Sequence, residues 1–384
     1  MNVRAVSNIG AALFVTLIAT GATIASAQTQ VYAGSNDTPN PLINASFSSP
    51  TMTYGAEIAN TGTTSGLTTS LAFNQVRVFK SGAPGCSLIA QTNNNSNNIS
   101  IYGISASGVV AAVAGSPFTV GAGVQSLAWA PDGGALYVPL AVAGAANVVT
   151  FTVSCVAGGP ITITNAGTVA LAAFNLLRDA EVIGSGNGTH LCVSGTNSNN
   201  VGCFPLTARI PGTTAVNTIT VTNVRGMRIA GNNCGVAGVG SANTVQGFSV
   251  NAGGTITATN TGATTTNPRY GAISANGALA AFGGFGTQFT VFSVDGACSL
   301  TLVGSNNNGI ATTLVEYLAF DTNNLLYVAD SLGNQIRVFA PTSGAIGAAV
   351  STSNTNHATI NAPGGIDAAL LSTLPVDLMK FSVD

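Results

Sequence analysis

The chain has 384 residues, of which 10 are Lys or Arg and 12 Asp or Glu, giving 6% charged residues and a formal net charge of −2. A typical soluble domain is about a quarter charged, and cations this few and dispersed cannot form the basic surface that releases counterions from nucleic acid, so a nucleic-acid partner is excluded. Solubility falls instead to Asn, Thr, Ser and Gly, the last present 47 times.

At the N-terminus Arg4 precedes the apolar stretch AALFVTLIATGATI and the small-residue triplet Ala25-Ser26-Ala27. This order predicts a secretory signal peptide over residues 1–27. The stretch is broken by Thr20, Gly21 and Thr23 and falls short of the ~20 apolar residues that span a bilayer. No later stretch is apolar enough to span one. After cleavage a single domain, residues 28–384, is expected, secreted or periplasmic, without a membrane span.

Downstream, one pattern recurs: NNISIY ending at Tyr102, ANVVTF at Phe151, NNVGCF at Phe204, NTVQGF at Phe248, TQFTVF at Phe292, NQIRVF at Phe339 and VDLMKF at Phe381. The aromatic-to-aromatic steps run from 42 to 53 residues, the period of four-stranded propeller blades. Each copy alternates β-branched or aromatic with small or polar residues after an Asn- or Gly-rich turn, as a strand does. Gly, Asn and Thr recur too densely for a long helix. NQVRVF, ending at Phe79, lies only half a blade before Tyr102 and is assigned to the inner strand of blade 1. SLAWAPDGGALYV (126–138) and EYLAFDTNNLLYV (316–328) align as inner strand, turn and second strand. The prediction is an all-β, seven-bladed β-propeller of four-stranded blades. The N-terminal segment, 28 to about 68, is expected to complete the last blade by supplying its outer strand, because an unpaired edge invites aggregation.

Six cysteines in an exported chain point to disulfides. The strand map sets Cys192 opposite Cys203 across the second and third strands of one blade. It also puts Cys86 with Cys155, and Cys234 with Cys298, at turns of neighbouring blades, where each pair would join two blades.

The repeats resemble the seven-bladed lactonase-type propellers that carry YVTN-like repeats. The closest stretches are GSPF (115–118) with SLAWAPDGGALYV, and FSVDGACSLTLVG after Phe292; LYVADSLGNQIRVF also resembles NHL-type repeats. The resemblance implies a Pro-Arg-His on an inner strand and a downstream Glu in the sugar-lactone hydrolases. Here the matching places hold Pro268-Arg269-Tyr270 and Gly283-Gly284. Lactone opening needs a group that activates water and a cation that holds the oxyanion; Arg269 suits the second role and nothing local suits the first. No catalytic residue is therefore assigned. His190 reads as a strand-end residue, and His357 sits in a polar loop with no fixed neighbour in sequence. No metal cluster and no cofactor motif is present.

The charges that do exist gather. The inner-strand stretches 178–182, 225–229, 269–273 and 316–320 hold four arginines and three carboxylates. In a propeller these positions ring the mouth of the central channel. Two readings fit them. Arg178, Asp179, Glu181, Arg225, Arg228, Arg269, Tyr270, Glu316 and Tyr317 could line a site for a small anionic or sugar-acid ligand. Alternatively, Glu181 with Arg228 and Arg269 with Glu316 are ion pairs between blades, since buried charge is costly unless matched. The expected function is that of a monomeric, non-catalytic propeller presenting this mouth to such a ligand or to an envelope protein. The alternative is a lactonase-type hydrolase acting on a sugar lactone or related sugar acid.

Overall fold

The computed structural model of the chain describes residues 29–35, 41–59, 75–144, 146–264, 267–286, 288–306, 315, 317–330, 335–351 and 363–370. The expected signal peptide, Glu316, His357 and the last anchor Phe381 lie outside the described residues.

Seven antiparallel sheets follow one another around a ring. Blades 1 to 6 are consecutive in the chain, at 76–119, 128–170, 177–220, 224–263, 267–306 and 318–351. In each, the first strand pairs with the second and the second with the third, and the fourth lies outermost. Val76–Phe79, the segment ending at Phe79, is the first strand of blade 1. Six anchors, Tyr102, Phe151, Phe204, Phe248, Phe292 and Phe339, sit on third strands and are at most 1% exposed.

Closure differs from the expectation. The N-terminal segment supplies three strands of blade 7, Thr29–Ser35, Leu42–Ser48 and Thr51–Tyr54, and the C-terminal strand Pro363–Leu370 pairs with the first of them. A single outer strand from the N-terminus would leave the inner position to the same C-terminal chain that must also form the second and third strands. In the observed arrangement one C-terminal strand suffices, and the buried aromatic of blade 7's third strand is Phe47, edge-on to Tyr327 of blade 6.

The core lies between blades. Seven buried clusters span the seven junctions among the described residues; one gathers Leu88, Ile99 and Ile101 of blade 1 with Leu136, Val138 and Phe151 of blade 2. Strand alternation sends successive side chains to opposite faces of a blade, so each second and third strand feeds two junctions. Burying one large apolar side chain contributes roughly 1.5–3 kcal/mol, and every blade thereby depends on both neighbours.

The asparagines have two structural roles. Six of the eleven described non-glycine residues with positive φ are Asn, at 97, 199, 223, 233, 243 and 324, in keeping with their tolerance of left-handed backbone in turns. Others clip outer strands together. Asn217 of blade 3 donates to the Ile256 carbonyl and accepts from the Ile256 amide, both at 2.8 Å, and Asn260 of blade 4 does the same with Leu300 of blade 5 at 2.8 and 2.7 Å. A carboxamide carries donor and acceptor side by side and so imitates one rung of a β-ladder.

Three disulfides complete the frame: Cys86–Cys155 between blades 1 and 2, Cys234–Cys298 between blades 4 and 5, and Cys192–Cys203 within blade 3. These are the pairs the strand map proposes, and Cys192 and Cys203 are direct cross-strand partners.

Candidate functional site

The sequence places Arg178, Arg225 and Arg269 near the start of the inner strands of blades 3, 4 and 5. Each falls at a break in strand register: between Leu177 and Asp179, between Val224 and Met227, and between Pro268 and Gly271. A bulge leaves residues outside the ladder and re-aims their side chains. Three successive blades thus turn an arginine out of register at the same level of the channel. The three guanidinium groups, with Tyr270, line a shallow dimple that is closed to a water molecule as it stands. Tyr270 in turn stacks on Tyr317 of the next blade, ring centroids 5.0 Å apart and planes at 12°. Gly226 permits the close approach: a Cβ there would lie 2.3 Å from the Arg269 carbonyl oxygen.

The electrostatics of this cluster are those of like charges held together. Arg178 donates to Gln125 Oε1 at 2.5 Å and to Thr196 Oγ1 at 3.2 Å, both neutral acceptors. Arg225 makes no hydrogen bond or ion pair among the described residues, and its Nε is buried. Burial, then the charges of Arg178 and Arg269, push the Arg225 guanidinium below its ordinary pKa; burial and then Arg269 do the same to Arg178, with Tyr270 opposing.

The other described charged residues of the ring form a separate cluster of two arginines and three carboxylates. Asp179 is fully buried and accepts from Ser126 Oγ at 2.6 Å, Gln75 Nε2 at 3.4 Å, the Met227 amide at 3.0 Å and the Arg228 guanidinium. Glu181 pairs with Arg77 at 2.5 Å and with Arg228 at 3.5 Å. Asp367, on the C-terminal strand, accepts from the Val78 amide at 2.8 Å and interacts with Arg77. Five blades meet in this network. The expected Glu181–Arg228 pairing is therefore present, whereas the expected Arg269–Glu316 pairing involves a residue outside the described ones. Arg77 and Asp367 are new to the site. Arg77 lies on the inner strand of blade 1 two residues beyond Gln75 and was within reach of the repeat alignment; Asp367 was not, because the repeat places the end of the chain on a different strand.

Burial first, and partly offset by Arg77, raises the pKa values of Glu181 and Asp367 above the usual carboxylate range. A carboxyl whose pKa is raised on folding adds stability below its ordinary value, about 4, and loses that contribution as pH rises through the folded value. The Glu181→Gln/Asp367→Asn variant is therefore expected to show a flatter urea midpoint between about pH 4 and 7 than the parent chain, whose contribution from these groups declines over that window. A variant midpoint that falls with pH as steeply as the parent's would assign the pH dependence to other groups. The Asp132–Arg209 pair works in the opposite sense, its carboxyl lowered by the Arg209 hydrogen bonds, but its side chains are 32% and 21% exposed and such pairs contribute little.

The glycine pair at the Glu place of the hydrolase pattern has a steric explanation. Gly283 and Gly284 lie on the second strand of blade 5, where added Cβ atoms would sit 1.9 Å from the Val315 carbonyl oxygen and 1.7 Å from that of Asn267. No carboxylate side chain fits there without moving backbone. His190 pairs with Ile183 at the far end of the inner strand from Arg178. It is buried, its Nδ1 3.1 Å from Thr189 Oγ1, and burial lowers its pKa.

No family model and no curated protein matches the chain. Solved structures do. The periplasmic gluconolactonase PpgL of Pseudomonas aeruginosa superposes with a TM-score of 0.65 at 16% identity, over 91% of this chain and 100% of that one. A putative 6-phosphogluconolactonase from Bacteroides fragilis gives 0.67 at 14%, over 90% and 99%. Sqt1 of Chaetomium thermophilum, bound to the N-terminus of a ribosomal protein, gives 0.51 at 13%, over 72% and 73%. At such identities the likeness is one of architecture, and these neighbours include both enzyme and binding protein. The chain has the fold of the lactonase-type seven-bladed propellers.

Proposed function

We propose that the protein is an exported, non-catalytic propeller that binds a small anionic ligand, of the size of a carboxylate or a sugar acid, at the arginine cluster of its channel. The observation that carries this reading is the gathering of three bulge-borne guanidinium groups in which Arg225 has no partner among the described residues, while Arg77 and Arg228 are matched by carboxylates. An anion in the dimple would offset the burial and the mutual repulsion that lower the Arg178 and Arg225 pKa values. Guanidinium is also the group that holds carboxylate with paired, directed hydrogen bonds. The dimple is small, so the half-buried Arg225 must swing to admit a guest. Three disulfides support an oxidising compartment, secreted or periplasmic.

A second reading, hydrolysis of a sugar lactone, draws on the fold and on Pro268-Arg269. Against it stands the tight glycine pair where the family pattern has a carboxylate. Calorimetric titration with gluconate and with inorganic sulfate tests the proposal. Arg225→Ala is expected to weaken binding about 10- to 100-fold, the loss of one or two charge-assisted hydrogen bonds, with the thermal midpoint preserved. Unchanged affinity in Arg225→Ala would move the site elsewhere. Turnover of gluconolactone that vanishes in Arg269→Ala would replace the binding reading by the hydrolytic one.

A further inference from the structure

The ring has a perimeter as well as a channel, and the perimeter is uneven. Outer strands expose an unpaired backbone edge, which proteins ordinarily blunt with short strands, charges, proline or a covering element. Most edges here are managed. Blade 1 ends in the short pieces Val110–Ala112 and Phe118–Thr119, blade 3 in Ile210–Pro211 and Thr218–Thr220, and blade 6 in Ala349–Ser351. The longer edges of blades 4 and 5, Ile256–Ala263 and Leu300–Asn306, are clipped to neighbours by Asn217, Asn260 and Asn306.

Blade 2 is different. Its outer strand Ile161–Ala170 has ten residues, the longest described, and pairs only with the third strand Asn147–Cys155. Among the described residues no side chain from another blade hydrogen-bonds to it. Thr162, Thr164 and Asn165 are exposed, and Ile161 and Ile163 are half-buried over the junction with blade 1. Beside it opens an apolar groove of about 410 Å³, lined in part by Pro160, Ile161, Val109 and Ala111. Val109 at its rim and Val156 at the end of the third strand are 63% and 68% exposed. Between Lys80 and Arg178 the sequence carries a single charged residue, Asp132, and that carboxylate is held by Arg209 at 2.7 Å. Among the described residues this sector of the ring has neither the charge nor the cover that would keep a strand away.

We infer that the outer strand of blade 2 is a self-association edge, on which a second copy of this chain pairs its own Ile161–Ala170 strand antiparallel about a two-fold axis. A two-fold contact requires a surface that complements itself. With Ile163 opposite Ile163, the neighbouring pairs are Thr162 with Thr164 and Ile161 with Asn165. Cross-strand Thr–Thr and β-branched pairs are favourable, and no like charges meet in any register. The pairing stops at Ala166, where the strand bulges against Thr150 and Phe151, so the match is confined to the five flat residues and has one centre. A dimer replaces the monomer expected from the sequence.

Sedimentation velocity of the purified chain, disulfides intact, over a concentration series tests this. The parent chain is expected to dimerise as concentration rises. Thr162→Lys/Thr164→Lys, which places cations face to face across the two-fold, is expected to weaken dimerisation at least ~10-fold, while Thr301→Lys on the clipped edge of blade 5 dimerises like the parent. Amide hydrogen exchange on the parent should show residues 161–165 gaining protection at dimer-forming concentrations, a readout that does not depend on the variants folding. A parent chain that stays monomeric throughout, a lysine variant that dimerises as tightly, or protection gained only elsewhere would each overturn the inference.

Discussion

Asp179→Ala is expected to lower the free energy of unfolding by about 3–5 kcal/mol, the cost of breaking a buried ion pair by removing one partner. The carboxylate is fully buried and receives Arg228, Ser126, Gln75 and the Met227 amide, which come from blades 4, 2, 1 and 4 in turn. Its loss would leave the Arg228 charge and a main-chain donor without their acceptor in the middle of the ring. Asp179→Asn keeps shape and some acceptors and should fall between. Arg225→Ala is the informative contrast, because removing a cation that has no partner among the described residues and that two other cations repel should leave stability unchanged within about 0.5 kcal/mol or raise it. Urea unfolding of the three variants measures this. Comparable losses for Asp179 and Arg225 would make the arginine cluster part of the scaffold and remove the basis of the proposed site.

Removing the Cys86–Cys155 bond, by Cys86→Ser/Cys155→Ser, is expected to cost about 4 kcal/mol, and the Cys192–Cys203 bond about 3 kcal/mol, from the chain entropy each loop releases. The loops differ in length, with sequence separations of 69 and 11. They also differ in what they join. Cys192–Cys203 ties two strands already paired in one blade, whereas Cys86–Cys155 ties blade 1 to blade 2 beside the open groove, where no asparagine clip is found among the described residues. Guanidinium unfolding of each variant against the parent gives the comparison. Should the Cys86–Cys155 variant lose less than the hairpin variant, the apolar cluster of Leu88, Ile99, Leu136 and Phe151 would be holding that junction by itself.

The repeat, the all-β class, the blade count and the disulfide pairs could be read from the chain because they depend on local order. Alternation with period two marks a strand, a fixed spacing marks a blade, and cysteines at equivalent strand positions must be neighbours once the blades are stacked. Gly283 and Gly284 could be read as a departure from the hydrolase pattern, though not as a consequence of two carbonyl oxygens lying where a Cβ would be. The closure was misread because every repeat looks alike in sequence. Which terminus contributes three strands and which contributes one is decided by what pairs with Thr29–Ser35.

The charged column was legible as a concentration of charge and illegible as two clusters. In the sequence alignment Asp179, Gly226 and Arg269 share a position, with Arg178 and Arg225 one residue earlier, so all seemed to line one wall. A bulge shifts the facing of every residue after it by one place, and three such bulges sort Arg178, Arg225 and Arg269 into one group and Asp179, Glu181 and Arg228 into another. Composition and periodicity determine that a ring of inner strands will carry these charges. Which charges meet is set by backbone register and by contacts between blades as distant in the chain as Arg77 and Glu181, and neither is encoded in any local stretch.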